Sequence, residues 1–369
     1  MLDQPPLWFI AIAFLCAIGP LVFIHEFGHY IVARWFGVGA DSFSIGFGRE
    51  IFGWSDKRGT RWKVGWLPLG GYVRFVGDMN PASQAAADAE LTADQRVVAF
   101  HNKPWWQRFL IVLAGPVANF ALAIFIFAAF FASYGMPSTP PVAAAITKGS
   151  AAEAAGLRTG DRIIEIAGQS TPSFEDIRRI VVIRPGEQVA IRLERQGRLL
   201  QTVARLGVDQ TKDDFGQTYR IGLLGIAQPK RVFERPSAGA LIPQSVRLTL
   251  AMTRSMIDGL AQIVTGRRST KDLGGPLKMA QIAGQQASLG AFEFIQLLAL
   301  FSINLGFINL LPVPMLDGGH LVFYAAEAVR RRPVSARAQD WAFRGGLALL
   351  LALLFLTTAN DLVSFGLFE

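Results

Sequence analysis

His25 and His29 stand four positions apart, with Glu26 directly after the first of them, in the stretch Phe23-Ile24-His25-Glu26-Phe27-Gly28-His29. On a helix, residues at that spacing lie one turn apart on the same face, so both imidazoles can reach a single metal ion. A catalytic zinc takes three protein ligands and keeps one position for water, and a neighbouring carboxylate can accept that water's proton. The pattern therefore asks for a third ligand elsewhere, with Glu26 as the general base. The plainer alternative is a pair of packed histidines on an apolar face. The surroundings speak against it: Leu7 to Ile24 is almost wholly apolar, so His25, Glu26 and His29 arrive where hydrocarbon is expected, and ionisable groups at that depth are costly and tend to be functional.

The third ligand is sought in Asn309-Leu310-Leu311-Pro312-Val313-Pro314-Met315-Leu316-Asp317-Gly318-Gly319-His320. Paired prolines end a helix, and adjacent glycines permit close backbone approach. Irregular backbone of this kind is tolerated at membrane depth only where protein or a cavity covers it. Asp317 is the preferred ligand, although it could equally cap a helix that starts there. His320 competes for the place and is otherwise expected to support a ligand or to pack. Three of the chain's four histidines fall in these two stretches.

Stepping outward, four apolar runs approach the roughly 20 residues needed to cross a bilayer: about 7–36, 109–134, 292–311 and 343–362. The third is interrupted by Asn304, Asn309 and Pro312, so its inner end should be broken. Arg and Lys crowd the segments after the first and third runs, including Arg49, Lys57, Arg58, Arg61, Lys63, Arg330, Arg331 and Arg332, which places both segments on the cytoplasmic side. The N-terminus and the long segment from Gly135 to about Gly290 then lie outside, and His25 lies about 13 Å from the inner end of its helix, in the cytoplasmic half of the membrane. The first run, preceded by Asp3 and no Lys or Arg, is expected to remain as a helix rather than be cleaved as a signal. The net charge of +8 fits loops facing anionic lipid; no basic stripe with interleaved aromatics suggests nucleic acid. Cys16, the sole cysteine, excludes an internal disulfide.

Residues 37–106 do not read as a plain loop. Ser42 to Gly48 and Arg61 to Trp66 alternate around the turn signal Ser55 to Gly59, and Gly70-Gly71-Tyr72-Val73-Arg74-Phe75 follows as another strand. We expect a small sheet on the cytoplasmic membrane face, with Phe43, Phe47, Trp54, Trp62, Trp66 and Tyr72 at the interface. Its open edge at Gly70, Gly71 and Tyr72 could pair with an extended peptide; an ordinary soluble hairpin would show the same alternation. Asn80 to Asp94 is expected to be a mobile linker. In the second span (107–134), Gly115-Pro116-Val117-Ala118-Asn119 suits close helix packing, with Asn119 either structural or in contact with substrate. Residues 237–290 are expected to hold an amphipathic interfacial helix over Ser245 to Val264, with 291–320 as the third span and its Asp-Gly segment, 321–342 as a cytoplasmic loop and 343–369 as the last span.

Between the second and third spans, residues 138–228 become soluble in composition. Ser150-Ala151-Ala152-Glu153-Ala154-Ala155-Gly156-Leu157-Arg158-Thr159-Gly160-Asp161 resembles the signature of a bacterial, permuted PDZ domain. That resemblance implies that Ile221, Gly222, Leu223 and Leu224 line a groove capturing a chain terminus by strand addition, unless the domain acts only as a steric plug. Taken together, the His25–His29 stretch, Gly115-Pro116-x-x-Asn119, the PDZ insertion and Asn309-x-x-Pro312-x-Pro314-x-Leu316-Asp317-Gly318 resemble the site-2 protease family, specifically its bacterial regulator-of-sigma-factor type. The fold implied is a multi-pass α-helical membrane protein of four spans, with a membrane-associated β-hairpin region and an inserted α/β PDZ domain. The resemblance further implies Zn2+ on His25, His29 and Asp317, water activated by Glu26, and substrate positioned by Asn309, Pro312 and Pro314. Expected partners are the lipid bilayer, single-span membrane proteins such as anti-sigma factors or leftover signal peptides, and an upstream site-1-type protease that trims them first. The expected location is the bacterial inner membrane. The best-known members carry two PDZ domains, whereas this chain shows one. Two rival functions are weighed: a non-catalytic PDZ scaffold, which predicts four protein ligands on a structural zinc, and a metal-ion transporter, which predicts polar residues along several spans.

Overall fold

The computed structural model describes residues 5–77, 92–212, 218–229, 232–265 and 274–364. The chain divides into two compact units, Met1–Ala129 with Ile242–Glu369, and Phe130–Leu241. In chain order the elements are α1 (Leu7–Trp35), β1 (Ala40–Ser55), β2 (Arg61–Phe75), α2 (Ala93–Val98), α3 (Trp105–Ser133), β3 (Met136–Ser138), β4 (Ala145–Ile146), α4 (Ala151–Ala154), β5 (Arg162–Ile166), β6 (Gln169–Ser170), α5 (Phe174–Val182), β7 (Gln188–Arg195), β8 (Arg198–Arg205), β9 (Gly207–Lys212), β10 (Thr218–Leu223), β11 (Ile226–Ala227), β12 (Val232–Glu234), α6 (Ala238–Val264), α7 (Pro276–Leu289), α8 (Ala291–Asn309), α9 (Asp317–Arg330) and α10 (Ala336–Ser364). Among the described residues four helices are long and apolar enough to cross a membrane: α1, α3, α8 and α10. The protein is thus a multi-pass α-helical membrane protein carrying an inserted α/β unit.

In the first unit the packing centres on α1. Its C-terminal third buries Tyr30 and Ala33 against Val38, Ala40 and Phe43 of the following segment, Ile111 of α3 and Tyr324 of α9. Small residues set the separations: a Cβ at Gly28 would lie 2.5 Å from the Ala114 carbonyl oxygen and 2.8 Å from Ala118 Cβ, so α1 and α3 can approach this closely only without it. Farther along α1, Ala17 and Leu21 pack with Ala283 of α7 and with Leu297 and Phe301 of α8. The α7 helix was not anticipated; it is short and rich in glutamine, and its start is fixed from afar, since buried Asp361 near the end of α10 accepts from the backbone N–H groups of Gly275 (2.9 Å) and Lys278 (3.0 Å). The last span also begins earlier than its apolar run, at Ala336.

The β1/β2 ribbon is more elaborate than a hairpin. Ser42 pairs with both Arg74 and Arg61, and Phe43 with both Val73 and Trp62, so the first part of β1 is flanked on two sides. Residues 53–55 return to pair with 61–63. The turn between the arms is held by Asp56, whose Oδ1 accepts from the Arg58 and Thr60 N–H groups at 2.9 Å and whose Oδ2 accepts from Trp62 Nε1 at 3.0 Å. Burial is the largest single influence and raises the Asp56 carboxyl, but those donors together outweigh it and hold the carboxyl below the usual carboxylate range. The aromatics split. Trp54 and Trp66 are exposed, whereas Phe43, expected at the interface, is core: it is 1% exposed and stacks on Trp62 at 4.4 Å. Most of the expected linker, residues 78–91, lies outside the described residues, and α2 begins at its end behind a Thr92/Gln95 capping box.

The second unit has a four-stranded sheet in the order β6-β5-β7-β8, its inner face formed by Ile163, Ile166, Val189, Ile191 and Leu193 and covered by Ile177, Ile180 and Val181 of α5. A turn at Gln196-Gly197 joins β7 to β8, both residues having positive φ. Asp161 is 1% exposed and receives Arg195 through two 2.7 Å bonds and the Arg158 N–H at 2.8 Å. Near the two ends of the unit, β3 and β12 pair antiparallel, Met136 opposite Glu234.

Candidate metal centre

The two histidines of α1 and Asp317 at the start of α9 converge. Nε2 of His25 lies 3.1 Å from Asp317 Oδ2, Nε2 of His29 lies 3.4 Å from the same oxygen, and the two Nε2 atoms are 3.3 Å apart. Ligands about 2.0–2.1 Å from a tetrahedral zinc are about 3.3 Å from one another. The three donor atoms therefore outline one face of such a tetrahedron. Asp317 Oδ2 is buried and makes no well-formed hydrogen bond, as expected of an oxygen shaped for a cation rather than for a donor proton. These three residues form the one His/Cys/Asp/Glu group suited to a metal among the described residues. Their chemistry and spacing fit Zn2+, with three protein ligands and room for a fourth.

Each ligand is held from behind. His29 Nδ1 donates to the Ile111 carbonyl oxygen at 2.9 Å, which leaves Nε2 with its lone pair. Its ring occupies the space over Gly115, where any Cβ would fall inside van der Waals contact with the imidazole. Nδ1 of His25 faces the side-chain amide of Asn119 at 3.1 Å, and Ser302 of α8 donates to the Asn119 backbone carbonyl oxygen at 2.7 Å. Asp317 follows Met315, whose φ of +86° is in the left-handed region; a non-glycine residue there costs about 1–3 kcal/mol, which surrounding contacts must offset. Gly318 and Gly319 then press α9 against the Leu310 and Val313 carbonyls, at distances a Cβ would forbid.

An open cleft of about 480 Å³ contains His25, Glu26, His29 and Asp317 together with Asn309, Gly70, Gly71 and Tyr72. Glu26 sits against the ribbon: a Cβ added to Gly71 would come within 3.1 Å of Glu26 Cγ and 2.7 Å of Val22 Cγ1. Residues 71–75 pair with β1 along one side, and this stretch lines the cleft with Tyr72, Val73 and Phe75. Sequence reasoning missed several lining residues, among them Phe47, Phe100, Leu305, Met315 and Tyr324; they are ordinary apolar or aromatic residues with no chemical signature. His320 lines the cleft without joining the three donors, its ring 5.3 Å from that of Phe343.

Several expected site residues stand outside this cleft. Asn119 is fully buried behind His25 and does not line the cleft. Pro312 and Pro314 do not line it either; the Pro314 backbone lies under Gly319 and Gly346, where it supports α9 and α10. In the second unit, Leu224 is 3% exposed and belongs to the core, and Gly222 is pressed on the Val181 and Arg184 carbonyls at the end of α5. Of the four expected groove residues, Leu223 is exposed and Ile221 half-buried.

Residues 13–353 match the family described as Peptidase family M50. The chain is 42% identical over 360 residues to "Putative zinc metalloprotease Atu1380" of Agrobacterium fabrum, covering 96% of this chain and 95% of that one. It is 36% identical over 383 residues to Metalloprotease MmpA of Caulobacter vibrioides, covering 97% and 96%. Among solved structures, the PDZ domain of an SdrC-like protein from Listeria monocytogenes matches at 20% identity with a TM-score of 0.19, over 26% of this chain and 90% of that domain. With a family match across most of its length and a donor set that fits the metal, the chain belongs to peptidase family M50, the site-2 proteases, and is a zinc-dependent membrane metalloprotease.

Proposed function

We propose that the protein hydrolyses peptide bonds within or beside the transmembrane segment of single-span membrane proteins, in the cytoplasmic half of a bacterial inner membrane. The convergence of His25, His29 and Asp317 in one cleft with Glu26 and the 70–75 strand is the observation that carries the reading. His25, His29 and Asp317 would hold zinc, which supplies Lewis acidity toward the scissile carbonyl and makes water acidic enough to attack near neutral pH. The Glu26 carboxylate takes a proton from the attacking water and returns it to the leaving nitrogen, so that one water is consumed and one carboxyl and one amine are formed. The 70–75 strand takes an unwound substrate segment as an added strand, which satisfies backbone groups that hydrocarbon would leave unpaired. Asn309 lines the same cleft and is assigned to substrate. Anti-sigma-like proteins already cut outside the membrane by another protease, and leftover signal peptides, suit a site at this depth. The Phe130–Leu241 unit would exclude substrates that still carry bulky ectodomains.

The test is cleavage, in membranes, of a tagged single-span substrate with a shortened ectodomain. Glu26→Gln is expected to lower the rate about 10²–10⁴-fold while zinc stays bound, and chelation is expected to stop cleavage until zinc is restored. Persistent cutting by Glu26→Gln would remove Glu26 from its role.

A further inference from the structure

We infer that Asn119 is a positioning residue for the metal, presenting its side-chain oxygen to His25 Nδ1–H and so holding the imidazole in the one tautomer whose Nε2 can bind zinc. The inference rests on the ligand assignment above and goes beyond it to a residue that touches neither metal nor substrate. A neutral imidazole that coordinates through Nε2 carries its proton on Nδ1, which is then a donor and needs an acceptor. The group facing Nδ1 is the Asn119 amide, 3.1 Å away and 0% exposed. An amide has two ends of nearly the same shape, related by a half-turn of its last torsion. With nitrogen toward the ring, two donors oppose each other, and Oδ1 is left buried without a partner, a loss that proteins avoid. With oxygen toward the ring, Nδ1–H has its acceptor and Oδ1 has its donor.

The companion ligand supports this assignment. His29 Nδ1 is satisfied by the Ile111 backbone carbonyl of the same helix, α3. Thus α3 fixes both imidazoles from behind, one through a backbone group that no substitution removes and the other through a single replaceable side chain. The Ser302 hydroxyl bond to the Asn119 backbone carbonyl oxygen anchors the residue further, from α8. The glycine-proline pair four and three residues before Asn119 admits the His29 ring, so the Gly115-Pro116-x-x-Asn119 stretch serves the two histidines at its two ends.

The experiment measures zinc affinity of the full-length protein in detergent by competition with a chelator, alongside thermal melting of the metal-free forms. Wild type is compared with Asn119→Leu, Asn119→Asp and Asp317→Ala. Asn119→Leu fills the same space without an acceptor, and its zinc affinity is expected to fall about 10–100-fold with metal-free melting preserved. Asn119→Asp keeps an acceptor oxygen and is expected to remain near wild type. Native affinity in Asn119→Leu overturns the inference, and so does a loss in Asn119→Asp as large as that in the leucine variant. Should the leucine variant fail to fold, the aspartate variant decides alone: a nitrogen contact predicts that it loses zinc, an oxygen contact that it keeps it. Asp317→Ala tests the ligand assignment separately. If that variant binds zinc as wild type does, the assignment falls and this inference falls with it.

Discussion

At the scale of single residues, the metal centre depends as much on atoms that are missing as on those that bind. Gly115 has no side chain because the His29 ring fills that volume. Gly115→Ala should displace the imidazole or spread α1 from α3, at a cost of about 1–3 kcal/mol. The measurable outcome is loss of zinc at chelator concentrations wild type withstands, while Gly345→Ala, whose added Cβ meets nothing within 4 Å, should behave as wild type. In the second unit, burial alone would raise the Asp161 carboxyl, but the Arg195 and Arg158 donors outweigh it and hold it below the usual range. A carboxyl lowered by folding stabilises above its unfolded value, about pH 4, and that stabilisation is lost as pH falls through the folded value. Asp161→Asn should therefore destabilise this unit at neutral pH by about 1.5–3 kcal/mol and flatten its loss of stability below about pH 4. Pulse proteolysis of the full-length protein, read at cuts within 130–241, would register both effects.

At the scale of elements, the 70–75 strand is set against α1 by Gly71, which brings it to Glu26 with no side chain between. Gly71→Val should push the strand away from Glu26 and Val22. Cleavage of a membrane substrate is expected to fall at least about tenfold, by the sensitivity of catalysis to misplacement of about 1 Å, with zinc affinity unchanged; a joint loss of zinc would mean that the strand also supports the ligands. Much of this level was legible in advance. His25, Glu26 and His29 declared themselves through residue type and helical spacing, and Asp317 through its place beyond paired prolines. The two-sided pairing of Ser42 and Phe43 was not legible, because alternation gives the faces of a strand and not its neighbours. The α7 helix stayed hidden because its N-terminal cap, Asp361, lies 83 residues beyond Lys278 in the chain. Asn119 was noticed, yet its duty was not assignable without knowing that His25 stood behind it.

At the scale of the whole molecule, the proposed function assigns chemistry and selection of substrate to separate parts of the chain. Every residue of the cleft belongs to the unit formed by Met1–Ala129 and Ile242–Glu369. If the other unit only restricts access, replacing residues 139–231 with a two-residue turn should leave zinc affinity and cleavage of a trimmed substrate unchanged. It should also allow cleavage of a substrate with its ectodomain intact. Continued rejection of the intact substrate would move the gating to the membrane unit.

The β3/β12 pair gives that excision its physical basis, and bears on how the chain folds. With Met136 opposite Glu234, nearly a hundred intervening residues begin and end at neighbouring points. Closing a flexible loop costs entropy that grows only with the logarithm of its length, each doubling adding about 0.6 kcal/mol. Once this stem has formed, the inserted residues impose no further closure cost on the rest of the chain, whether they are folded or not. The insert can then open and close as its own cooperative unit, and amide exchange within β5–β8 should be able to quicken while β3 and β12 stay protected.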